Sequence, residues 1–195
     1  MMVRFHMHQN FDLLRAIERL LIKGKLEEAK QFAAAIASAP DEPEHGPWAA
    51  SKVVIRDRAA ALSKATDVGD ALRKTASIGG ACGSCHDEHV VKLALDQVPP
   101  LPPDKPTLDA RMARHRWAAD RLWEGVVGNS ETAWRAGLDV LAATPLDQPA
   151  DRVGIGRRLQ AQATAARNPS PGKLIERSTQ YGEMLATCAS CHTKK

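Results

Sequence analysis

The chain has 195 residues, and its 27 basic and 23 acidic side chains leave a formal charge of +4 spread along its length. That mixture describes a solvated surface rather than a nucleic-acid footprint, which clusters Lys and Arg with interleaved aromatics, and no apolar run approaches the roughly 18–20 residues of a membrane span. Aromatics are 4% of the sequence and alanine is abundant, so large side chains are scarce as core filler.

The chain opens MMVRFHMHQNF, without a basic-then-apolar leader. Phe11, Leu14, Ile17 and Leu21 then recur at steps of three and four, which predicts a helix with one buried face. Breakers fall at Gly24, at APDEPEHGP (39–47) and near DVGD (67–70). The stretch GGACGSCHDEH (79–89) comes next. DQVPPLPPDKPTLD (96–109) carries five prolines and reads as an extended linker. Beyond it Ala119, Leu122 and Val126 repeat the helical spacing, and breaks fall at GNS (128–130), TPLDQPAD (144–151) and RNPSPG (167–172). The chain closes on LATCASCHTKK. Strand signals are nearly absent.

The halves echo each other. A shift of 105 aligns Met7 with Met112, Gly24-Lys25 with Asn129-Ser130, and Pro40 with Pro145, while a shift of 106 superposes the two Cys-x-x-Cys-His strings. The expected fold is all-α: two tandem antiparallel four-helix bundles, residues 1–96 and 108–195, joined by a linker over 97–107, with helices of about 14–22 residues.

Three chemistries use paired cysteines at this spacing. A redox dithiol expects the pair at the start of a helix within a βαβ pattern, and no strands are visible. A zinc held by four thiolates, two from each half, needs the motif-bearing ends to meet and leaves His86 and His192 without a role. Covalent haem attachment uses every residue: each thiol adds across a vinyl group, and the next residue gives an imidazole nitrogen to the iron. With seven histidines in the chain, chance would put one after both pairs roughly once in a thousand tries. His89 and His45 read as solvated side chains.

A helical bundle of about 90 residues with CGSCH or CASCH in its last helix resembles the cytochrome c-prime family, including its low-spin relatives with a methionine sixth ligand. The resemblance covers nearly the whole chain, twice. It implies one covalently bound haem c in each bundle, thioether bonds at Cys82, Cys85, Cys188 and Cys191, and proximal iron ligands at His86 and His192. It also implies that the first helix of each half covers the distal face. There RMARHRW offers Met112 and His115, and RFHMHQNF offers Met7 and His8, with His6 beside them; only the methionine is shared between halves. Three states stay open: His/Met irons, bis-His irons of lower potential, or five-coordinate irons open to small gases. A methionine at helical spacing also serves as core packing.

These features imply a di-haem, iron-containing single-electron carrier rather than an enzyme. The alternative is a protein that binds or senses NO or CO. Maturation of c-type haem outside the cytoplasmic membrane implies a periplasmic or otherwise exported location. The expected partners are redox proteins, with a homodimer as bundle cytochromes often form.

Overall fold

A computed structural model describes residues 2–39, 48–91, 93, 98–146, 150–167 and 174–193. Its secondary structure is helical, with no strand among the described residues. Four helices precede the proline-rich segment: α1 (Met2–Ile22), α2 (Leu26–Ala37), α3 (Ala49–Ser63) and α4 (Val68–Glu88). Four come after it: α5 (Leu108–Val127), α6 (Glu131–Ala143), α7 (Val153–Ala166), entered through a short 3-10 turn at Ala150–Arg152, and α8 (Leu174–His192). At 12 and 13 residues, α2 and α6 are shorter than the spacing predicts.

Local chemistry sets several boundaries. Gly24 takes φ +76° to turn α1 into α2. Asp67, Thr107 and Ser130 cap α4, α5 and α6 by accepting from the amides of Asp70, Ala110 and Ala133, each such cap contributing about 1 kcal/mol. The break predicted near DVGD is present: the chain turns over 64–67 between α3 and α4, and Asp67 holds the first turn of α4. Residues 40–47, 147–149 and 168–173, which take in His45 and most of the predicted breakers at 39–47, 144–151 and 167–172, lie outside the described residues.

In the first half α1 packs on α2, α2 on α3, α3 on α4 and α4 back on α1; α5 to α8 repeat that order of neighbours. Leu14, Ile17 and Leu21 are buried as their spacing predicts, and so are Leu122 and Val126. Phe11 is not: 39% of it is exposed, and its ring reaches Trp123 of α5 with centroids 6.2 Å apart.

The most extensive helix–helix contact joins the halves, between α4 and α8. Small residues allow it. A Cβ added at Gly182 would lie 3.0 Å from the Arg73 Cα and 3.3 Å from the Ala76 Cβ, and one added at Gly80 would lie 2.8 Å from Ser178 Oγ. Along the pair, 80 meets 178, 76 meets 182 and 69 meets 186, so the two helices run antiparallel. Ala76 and Gly182 are a residue and its repeat at the shift that superposes the cysteine strings. Arg15 and Asp120, ion-paired between α1 and α5, are related by the other shift. Contacts between a residue and its own copy are what a two-fold relation places on its axis.

Contacts of Gly79 with Trp123, Gly83 with the Val126 carbonyl and His86 with the Val127 carbonyl show that α4 and α5 run in the same direction. Their connection must then travel back along a helix, about 30 Å for a 20-residue α5. A proline-rich chain advancing about 3.1 Å per residue does this without helix. It is fastened as it goes: Trp117 Nε1 donates to the Pro99 carbonyl at 2.7 Å and Arg114 Nη1 to the Pro102 carbonyl at 2.9 Å.

Replacing Gly182 by valine puts methyl groups where the α4 backbone already lies. We expect a loss of about 1–3 kcal/mol, read as a lower urea midpoint, with helical circular dichroism of the folded state retained.

Candidate functional site

Both Cys-x-x-Cys-His strings lie on helix, each at the C-terminal end of the last helix of its half. Spacings of three and four residues put Cys82, Cys85 and His86 on one face of α4, and Cys188, Cys191 and His192 on one face of α8. The face of α4 continues through Ala71, Thr75 and Ile78, and that of α8 through Tyr181 and Leu185, all of them buried.

Because α4 and α8 are antiparallel, the strings sit at opposite ends of the pair, about 25 Å apart at 1.5 Å of rise per residue. One zinc held by all four thiolates is incompatible with that arrangement, and no metal-binding group of three or more His, Cys, Asp or Glu occurs among the described residues. The first thiol of each string is also held protonated. Cys82 and Cys188 are each half-buried by area, yet burial, with the neighbouring Cys85, pushes the Cys82 thiol up to about 12. Burial, then Glu18, then Cys191, does the same for Cys188. A redox dithiol needs the opposite shift and sits at a helix N-terminus, where the dipole favours thiolate.

His86 is the better organised imidazole. It is 8% exposed, and its Nδ1 lies 2.8 Å from the carbonyl oxygen of Val127, the last residue of α5. A carbonyl only accepts, so Nδ1 carries the proton and Nε2 keeps its lone pair, the tautomer in which metal-ligating histidines are commonly held. His192 is exposed by area, and the partial desolvation of its ring, followed by the charge of Arg152, lowers its pKa. Arg152 Nη1 donates to the Cys191 carbonyl at 2.6 Å, which fixes the last turn of α8.

The residues predicted to lie across from these strings divide. Trp123 faces Tyr181 with centroids 6.0 Å apart; equal steps back along α5 and forward along antiparallel α8 lead to Met112 and His192, which therefore share a level. Glu18 meets Tyr181 and Gly24 meets Thr193, so α1 runs parallel to α8. Its first turns, with Met7 and His8, lie at the end of the molecule that holds Cys82–His86. Met7 and Met112 are half-buried and His8 is exposed; the side chain of His6 lies outside the described set. His115 is buried and turned toward α6, where Nε2 lies 2.9 Å from the Thr144 carbonyl and donates to it; burial lowers its pKa.

Several residues at these sites carry no signal in the sequence pattern. Trp48, at the start of α3, packs on His89 with ring centroids 4.1 Å apart, so His89 is a packed side chain rather than a solvated one. The Val127 carbonyl belongs to the other half of the chain. Glu18 did leave a trace, as a carboxylate on the apolar stripe of Leu14, Ile17 and Leu21.

Exposed apolar side chains gather toward the end that carries the first string: Phe11, Val53, Val54 and Val90. Together with two sulfurs and one imidazole on one face, the neutral Cys82 thiol and the Nε2 of His86 left open by the Nδ1 hydrogen bond, they fit a covalently held haem. No protein-family model, curated protein or solved structure matches the chain.

In unloaded, folded protein at pH 8.5, we expect Cys82 and Cys188 to resist alkylation, and to react at the ordinary thiol rate once urea unfolds the chain. Peptide mass mapping of the modified cysteines reads this directly.

Proposed function

We propose that the chain is a di-haem c-type cytochrome that carries single electrons, built as two antiparallel four-helix bundles with one haem attached to the last helix of each. The observation that carries this reading is the repeated constellation of two sulfurs and one imidazole on a single face of α4 and of α8. Cys82 and Cys85 would form the thioethers of the first haem, and Cys188 and Cys191 those of the second. His86 and His192 would hold the iron. Bound there, haem supplies a one-electron iron couple and apolar bulk that an alanine-rich core lacks.

The chain's own contribution is position and environment. A ligand on a helix is held more precisely than one on a loop, and the Val127 carbonyl orients His86. Met7 and Met112 are the favoured sixth ligands, because each lies at the level of its string and His115 already spends Nε2 on the Thr144 carbonyl. The likeness to the low-spin, methionine-ligated relatives of cytochromes c-prime supports the same assignment. Covalent haem attachment implies export to the periplasm or an equivalent compartment, and redox proteins as partners.

Protein made in a host competent for c-type maturation is expected to gain the mass of two haems and to give a c-type pyridine haemochrome. A bare polypeptide overturns the reading. Cys82→Ala combined with Cys85→Ala should leave one haem. Reduced wild-type protein with low-spin bands unaffected by carbon monoxide fits the carrier, and Met112→Ala should then make one of the two haems bind the gas. High-spin wild-type irons that take up carbon monoxide at once favour the gas-binding alternative.

A further inference from the structure

The interface between the halves encloses charges that the attachment strings do not explain. Glu18 of α1 is 3% exposed. Its Oε2 accepts from Arg15 Nη1 at 2.7 Å and from the Tyr181 hydroxyl at 3.0 Å. Arg15 in turn pairs with Asp120 of α5 and lies over the Trp123 ring at 5.7 Å. Tyr181 is itself buried and precedes Cys188 by two turns on the same face of α8. The charge of Glu18 reaches the Cys188 thiol, where only burial acts more strongly. Among the described residues the first string has no such acid: the residue that repeats Glu18 is Trp123, and the charged side chain acting on the Cys82 thiol is Arg58, whose guanidinium bonds the Ser77 carbonyl.

We propose that Glu18, supplied by the first half across the interface, is part of the second haem site and tunes its reduction potential through the charge of its carboxyl group. This rests on the haem reading above. A carboxylate stabilises the extra positive charge of the oxidised site and lowers its potential; the neutral acid does not. When one electron arrives from a redox partner, one proton from water on Glu18 keeps the local charge unchanged, and loss of the electron releases that proton. The groups that face Glu18 are Arg15 from α1, Asp120 from α5, and Tyr181 with the Cys188 thiol from α8. Farther along α8, Arg152 lies beside His192 and Arg158 Nη2 donates to Ser190 Oγ; the guanidinium that acts on Glu18 is that of Arg15. Burial lifts its pKa above the ordinary carboxyl value. The potential of the second site therefore falls as pH rises through that pKa, and the potential of the first does not follow.

Two measurements test this. In unloaded protein, alkylation of each cysteine is followed against pH by peptide mass mapping. Glu18→Gln, which keeps the shape of the hydrogen-bonded side chain, should move the Cys188 profile to lower pH and leave that of Cys82 in place. In haem-loaded protein, potentiometric titrations across pH should resolve two couples. One should fall with rising pH in the wild type; in Glu18→Gln that couple should be higher and level, with the other unchanged. Tyr181→Phe removes a hydrogen bond that favours the carboxylate and should move the inflection to higher pH. An unmoved Cys188 profile, or two couples with the same pH response in wild type and Glu18→Gln, overturns the proposal. Failure to take up haem is seen separately in the pyridine haemochrome and defeats the haem reading together with it.

Discussion

The structure depends on the close antiparallel seating of α4 against α8. Gly80, Ala76 and Gly182 remove the side-chain bulk that would hold two helices 8–10 Å apart, and dispersion between backbones that approach so closely is gained only while nothing larger intervenes. Ion pairs such as Arg73–Glu183 decorate this seam, but both partners are about half exposed, and exposed pairs contribute little. The seam matters beyond stability because the same two helices carry all four cysteines. Whatever aligns α4 with α8 also sets where the two strings stand relative to each other, at opposite ends and on faces that continue into buried core.

Each string leans on the opposite half. His86 is oriented by the carbonyl at the end of α5, and Cys188 senses a carboxyl group from α1. The halves are therefore related but not equivalent. A buried imidazole with an engaged Nδ1 stands at one end, and an exposed imidazole beside Arg152 at the other. Sequence repetition produces two similar sites; the interface makes them different, through Glu18 where the repeat has Trp123.

Much of the architecture was legible in the sequence because it is local. Three-and-four spacing marks the buried faces of α1 and α5. Gly24 and the capping Ser130 mark turns, and the cysteine strings announce themselves by composition and order. Pairing between distant segments stays hidden. Nothing in the periodicity says that Phe11 meets Trp123 rather than a residue of its own half, that His115 spends a nitrogen on the end of α6, or that the proline-rich stretch is strapped to α5 by Trp117 and Arg114. DVGD marks the break between α3 and α4, but its letters do not say which residue caps the next helix; the hydrogen bond from the Asp70 amide to Asp67 does.

The pairing of α4 with α8 also bears on the order of synthesis. The fourth helix ends at Glu88, but the surface it needs as a neighbour begins to be translated only at Leu174. Until α8 is translated, the glycine-lined flank of α4 stays open to solvent, and Glu18 lacks its tyrosine. Domains that close within themselves can fold in sequence as they emerge; here α4 meets its main neighbour only once α8 has been made.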